Sequence, residues 1–161
     1  MDANRKSDPL TRFAEMLGEW MSPLFLVAVI ISVYEVALRY GFDAPTSWVH
    51  ELTVLLSACC FVVSGLYALA RNEHIQVTVL RDRLPPSARR AVDLLSLLLG
   101  LVFLLAIVWG GWSHAWEALS NWHSTRTAFN SPTPAILKPL IVVIAALMAV
   151  LLLVQQRNKP R

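Results

Sequence analysis

Residues 52–70 read LTVLLSACCFVVSGLYALA, nineteen positions without a charge. A helix rises ~1.5 Å per residue, so a run of this length crosses a hydrocarbon core of roughly 30 Å. Three further stretches are of the same kind. Residues 94–113, LLSLLLGLVFLLAIVWGGWS, give twenty uncharged positions. Residues 139–156 are uncharged and are extended backwards by 132–137, whereas residues 21–38 contain a single charge, Glu35. Together they predict an all-α membrane protein with four transmembrane helices, at about 21–40, 50–71, 87–119 and 132–154, in one membrane domain over 1–161.

Composition supports the same class. The 161-residue chain is 56% apolar and 16% charged, against roughly 25% charged residues in an ordinary soluble domain. A chain this short has too little interior volume to hide such an excess in a soluble core. The net charge of +3 is placed by topology. Arg5, Lys6 and Arg12 precede the first run. Arg71, Arg81, Arg83, Arg89 and Arg90 lie between the second and third, and Arg157, Lys159 and Arg161 follow the fourth. That puts eleven of the fourteen basic residues on one side, which predicts both termini in the cytoplasm by the positive-inside rule. The basic charge is thereby explained without a nucleic-acid partner.

The first run is longer than a signal-peptide core and no small-x-small site closes it, so a retained N-terminus is expected. Ahead of it, Leu10, Phe13, Leu17 and Trp20 recur at helical spacing, with Arg12, Glu15 and Glu19 around the rest of the helix. This predicts an interfacial amphipathic helix over 8–20, with Ser7 or Asp8 as N-cap and Pro9 in the first turn. Ser22-Pro23 then reads as the start of the first span. Gly41 and Pro45 mark a short outer loop, and Ser47 is a candidate cap for the second span. Residues 72–84 alternate apolar positions in a way that fits strand or helix equally. Adjacent Cys59 and Cys60 point about 100° apart on a helix, so they read as buried free thiols.

The third run, with its flanks, exceeds thirty residues, which requires tilt or protrusion. Trp109, Trp112 and Trp116 sit at i, i+3 and i+7 near its outer end, with Trp122 beyond, and read as an aromatic belt.

Ionisable residues near the spans are the candidates for function. Glu35 carries Arg39 four residues later on the same face, the spacing of a helical ion pair. A same-face arginine opposes proton carriage, so a structural pair is the preferred reading. Glu51 opens the second span, where a carboxylate suits a helix N-terminus and could also reach Arg39. Lys138, a turn and a half into the fourth span, can snorkel. His50 and His114 are the one conceivable axial pair for a haem. No glycine-rich phosphate loop, metal-ligand spacing or nucleophile constellation is present, so no catalytic, cofactor-binding or metal residue is expected.

The runs YEVALRYGFDAPTSWVHELT (34–53) and GLYALARNEHIQVTVLRDRLPPSARR (65–90) resemble the small permease subunit, of the DctQ type, of tripartite ATP-independent periplasmic (TRAP) transporters. Glu35, Arg39, Tyr40, Trp48, Glu51, His74, Ile75, Leu84 and Pro85 carry the resemblance. SNWHSTRTAFNSPTPAILK (120–138) is similar to that family's serine-bearing loop before its fourth span. The resemblance implies a non-catalytic subunit in the bacterial inner membrane that works in organic-acid uptake by symport. It implies two partners, a large permease subunit and a periplasmic substrate-binding protein. Glu35, Arg39, Trp48, Glu51 and His74 become candidates for assembly. Two other classes compete: a self-sufficient proton-coupled exporter using Glu35, and a haem-bearing membrane anchor.

Overall fold

The computed structural model describes residues 9–71, 85–125, 127 and 129–157, and these form four helices. They are α1 (Pro9–Gly41), α2 (Trp48–Ala70), α3 (Pro86–Ser120) and α4 (Thr133–Arg157). All four are long and apolar enough to cross a membrane. The connector at 72–84, with His74, lies outside the described residues.

The helices form an open row, in the order α1, α2, α4, α3. Extended contacts join α1 to α2, α2 to α4 and α4 to α3, with no comparable contact between α1 and α3. The two central helices bury several times more of their apolar windows than the edge helices do. One cluster, with Val63, Leu66 and Leu69 of α2 and Ile144 and Leu151 of α4, fills the centre of the row. A second, around Leu104, Ala145 and Ala149, joins α3 to α4. Edge residues such as Ile30, Val33, Leu99 and Phe103 are exposed. In a bilayer such a surface costs little, because lipid tails are as apolar as leucine.

Residues 8–20 were expected as a separate helix on the leaflet. From Pro9 onward they are helical, but α1 runs without a break through Ser22-Pro23 to Gly41. Proline removes one intrahelical bond, and packing outweighs that loss here. Ala14 is 1% exposed and belongs to the central cluster, with Leu10, Leu17 and Met21 against it. Gly18 makes the approach possible, since a Cβ there would lie 2.4 Å from Cδ2 of Tyr67 on α2. The first turns of α1 are thus held by the row. At 33 residues the helix is about 50 Å long, longer than the hydrocarbon core.

α3 has 35 residues, close to the expected 87–119, and is longer still. Gly111 brings it onto α4, where an added Cβ would meet Val142 Cγ2 at 2.8 Å. Ala118, further along α3, is fully buried. Cys59 and Cys60 are free thiols, and Cys60 Sγ donates to the Met21 carbonyl at 3.6 Å.

Candidate functional site

A network of side-chain hydrogen bonds lies at one end of the row, where α1 ends and α2 and α4 begin. A helix start leaves backbone N–H groups without partners and carries a partial positive charge, so it calls for an acceptor. α2 does not find one in its own cap: the Ser47 side chain makes no capping hydrogen bond. Glu35 of the neighbouring helix instead holds the residue just ahead of that cap. The Thr46 amide donates to its Oε1 at 3.3 Å and its Oε2 at 3.2 Å, and the Thr46 hydroxyl donates to Oε2 as well. Arg39 Nε and Nη2 donate to Oε1 at 3.1 and 2.5 Å. Glu35 is 9% exposed despite its charge, as a carboxylate with this many donors can be.

The loop between α1 and α2 is shaped to permit this. Asp43, with φ 52°, adopts the left-handed conformation that lets the chain turn back. The Phe42 and Ala44 amides both donate to the Leu38 carbonyl, at 3.2 and 3.1 Å. Gly41, the residue expected to turn the chain, stays helical at the end of α1. Asp tolerates left-handed φ better than most residues. Trp48, at the start of α2, rests its ring against Tyr34 with centroids 6.4 Å apart.

Glu51 repeats the arrangement one helix further along the row. Its carboxylate accepts the Thr125 hydroxyl at 2.8 Å, the Thr127 hydroxyl, and the Ser131 amide at 3.1 Å. Ser131 lies two residues before α4 and is 4% exposed. Its hydroxyl pairs with that of Thr133 at 2.8 Å. Glu35 of α1 therefore anchors the loop leading into α2, and Glu51 of α2 anchors the loop leading into α4. The expected reach of Glu51 to Arg39 does not occur. Arg39 turns back along its own helix to Glu35, while Glu51 lies on the side of α2 that faces α4.

The other residues singled out in the sequence are dispersed. His50 and His114 both lie on exposed surface, and Lys138 is half-buried on α4. Trp109, Trp112, Trp116 and Trp122 are all well exposed. The contact of Gly111 with Val142 sets Trp109 and Trp112 beside the middle of α4, and only Trp116 and Trp122 approach the Glu51 end. Sequence reasoning missed Thr46, Thr125, Thr127 and Ser131. Their signal is modest: hydroxyl residues in loops that immediately precede helix starts. It also missed Gln155, whose side chain donates to the Leu69 and Ala70 carbonyls at the opposite end.

Four apolar helices, each long enough to cross a membrane, define a multi-pass membrane protein in which Glu35 and Glu51 tie loops to neighbouring helices. Residues 28–159 match the family described as "Tripartite ATP-independent periplasmic transporters, DctQ component", and the chain belongs to that family. Among similar proteins is the sialic acid TRAP transporter small permease protein SiaQ of Vibrio cholerae. It is 29% identical over 93 residues, which is 58% of this chain and 54% of the relative. The C4-dicarboxylate TRAP transporter small permease protein DctQ of the same organism is 26% identical over 117 residues, 71% of this chain and 50% of the relative. The aligned part spans about half the length of these relatives. Membership, with the four helices, makes this a small permease component in the inner membrane.

Proposed function

We propose that this chain is the non-catalytic small subunit of a tripartite importer of organic anions. It braces a large permease subunit and helps receive a periplasmic substrate-binding protein. The observation that carries this reading is the use of the two carboxylates. Glu35 and Glu51 are engaged in tying helix ends and loops together, at one end of the row. Transporters that hold substrate in the membrane place polar groups and broken helices near its middle. Here the central clusters are apolar and each of the four helices is continuous. An element of this kind suits a rigid brace.

The distribution of basic residues along the sequence supports that end on the periplasmic side, with both termini inside. The loops at 41–50 and 120–132 would then face the binding protein, and the exposed faces of α1 and α3 are available to the large subunit. The names of the relatives support an organic carboxylate as the transported class, chosen by the other two components. The exporter reading is disfavoured because Arg39 and Thr46 already occupy the Glu35 carboxylate.

Co-expression with a large TRAP permease subunit tests the proposal. The expected result is a complex that survives purification and supports uptake only when the binding protein is added. A small subunit that is stable and monodisperse alone, and never co-purifies, would overturn it. Transport by this chain alone in proteoliposomes, lost in Glu35→Gln, would establish the exporter reading instead.

A further inference from the structure

The chain folds as two antiparallel pairs, α1 with α2 and α3 with α4, which meet along a single seam between α2 and α4. These two helices both start at the Glu51 end, so they run parallel. The apolar part of the seam is built from Val63, Leu66, Leu69 and Ala70 on one side and Ile144 and Leu151 on the other. In lipid an apolar seam is a poor ruler, because a slipped helix exchanges leucine contacts for tail contacts of similar worth. Polar bonds behave differently. A slipped helix parts a donor from the one acceptor aligned with it and leaves a part-buried polar group without its partner.

The seam carries such bonds at both ends. At one end Glu51 accepts the Thr125 hydroxyl and the Ser131 amide, at 2.8 and 3.1 Å, and the Thr127 hydroxyl. At the other, Gln155 Nε2 donates to the Leu69 carbonyl at 3.0 Å and the Ala70 carbonyl at 3.4 Å. Those carbonyls lie in the last turn of α2, where a helix runs out of its own donors. The two sets of bonds are about 28 Å apart along α2, at ~1.5 Å per residue.

We infer that Glu51 and Gln155 are register pins that lock the two helix pairs into one plate. Each pin alone allows the seam to pivot about it. Both together fix the height of α4 against α2 and the angle between them. This holds for the isolated subunit and does not depend on the proposed partners.

The test uses the full-length protein in lipid nanodiscs, on a Cys59→Ser, Cys60→Ala background. Spin labels go on the exposed faces of α2 and α4, through Phe61→Cys and Leu153→Cys, and pulsed dipolar spectroscopy reads the distance between them. The parent should give one narrow distance. Glu51→Ala and Gln155→Ala should each broaden it. The double variant should broaden it further and shift it by more than the ~1.5 Å rise of one residue. Glu51→Gln keeps an acceptor for Thr125 and Ser131, and should stay close to the parent. An unchanged distribution in the double variant overturns the inference, because apolar packing would then suffice. Should the double variant fail to give a monodisperse species, the single variants decide: broadening in either supports the pins, and none in both overturns them.

Discussion

Glu35 and Glu51 show how an ionisable side chain can be kept in an apolar helix when its oxygens meet enough donors. Each takes a backbone amide from just ahead of a helix start, Thr46 for one and Ser131 for the other. Loss of the Glu51 carboxylate removes an acceptor from three donors in the 125–131 segment. Glu51→Ala should therefore lower the melting temperature in mild detergent, and Glu51→Gln should restore part of the loss. Equal melting temperatures for Glu51→Ala and the parent would show that the loop is held by other contacts. Trp122 presents the opposite case, a residue in a conformation it does not favour. The amides of Trp122 and His123 donate to the Leu119 and Ala118 carbonyls at 3.4 and 3.1 Å. That pattern closes a helix with a left-handed residue, usually glycine, and Trp122 occupies the place with φ 43°. Left-handed φ costs a residue with a Cβ about 1–2 kcal/mol. Trp122→Gly should recover about 1 kcal/mol of it, seen as a higher melting temperature in detergent. A fall instead would mean that the indole, 65% exposed, makes contacts worth more than the strain.

Helices in this protein are spaced by small residues at a few positions, and two glycines on adjacent elements separate the effects of packing and propensity. At Gly18 a Cβ would meet the Tyr67 ring carbon Cδ2 at 2.4 Å and even its Cβ at 2.8 Å, so rotating the ring does not clear the space. Gly18→Val should open the α1–α2 contact and cost about 1–3 kcal/mol. Gly65 has nothing within 4 Å of an added Cβ, so Gly65→Ala should gain up to about 1 kcal/mol through helix propensity alone. Thermal unfolding of both variants under one condition checks the pair, and a neutral Gly18→Val would refute the close approach. The lengths of α2, α3 and α4 are legible in the sequence to within a few residues, because an uninterrupted apolar run permits few other readings. The continuity of α1 is not. Ser22-Pro23 carries the local signature of a helix start, and what overrides it is the packing of Ala14 and Gly18 on α2, a contact some fifty residues distant in sequence. Likewise the Glu35–Arg39 pair is legible from its spacing of four. The attachment of Glu51 to Thr125 and Ser131 is not, because |i−j| is 74 and 80 and only the adjacency of α2 and α4 creates it.

At the scale of the whole molecule, the open row leaves α1 and α3 as edges, each covered on one side only. In lipid such edges cost little, so the row is tolerated without a partner. A row offers long apolar flanks against which another membrane protein can lie, consistent with a bracing subunit. Which end faces the periplasm then decides which partner meets which loop. Eleven of the fourteen basic residues fall, in sequence, at or before the start of α1, from the close of α2 to the start of α3, or at and after the close of α4, which argues for the Glu35–Glu51 end outside. The opposing consideration is weaker: Arg39 and Lys138 lie toward that same end, but Arg39 is paired with Glu35, which reduces the pull of its charge. Single cysteines on a cysteine-free background test the orientation in intact cells. Ser124→Cys, between α3 and α4, should react with a membrane-impermeant maleimide before lysis. Arg71→Cys, at the close of α2, should react only after the membrane is opened. The reverse pattern would place both termini outside, and would move the candidate docking surface from the 41–50 and 120–132 loops to the opposite end of the row.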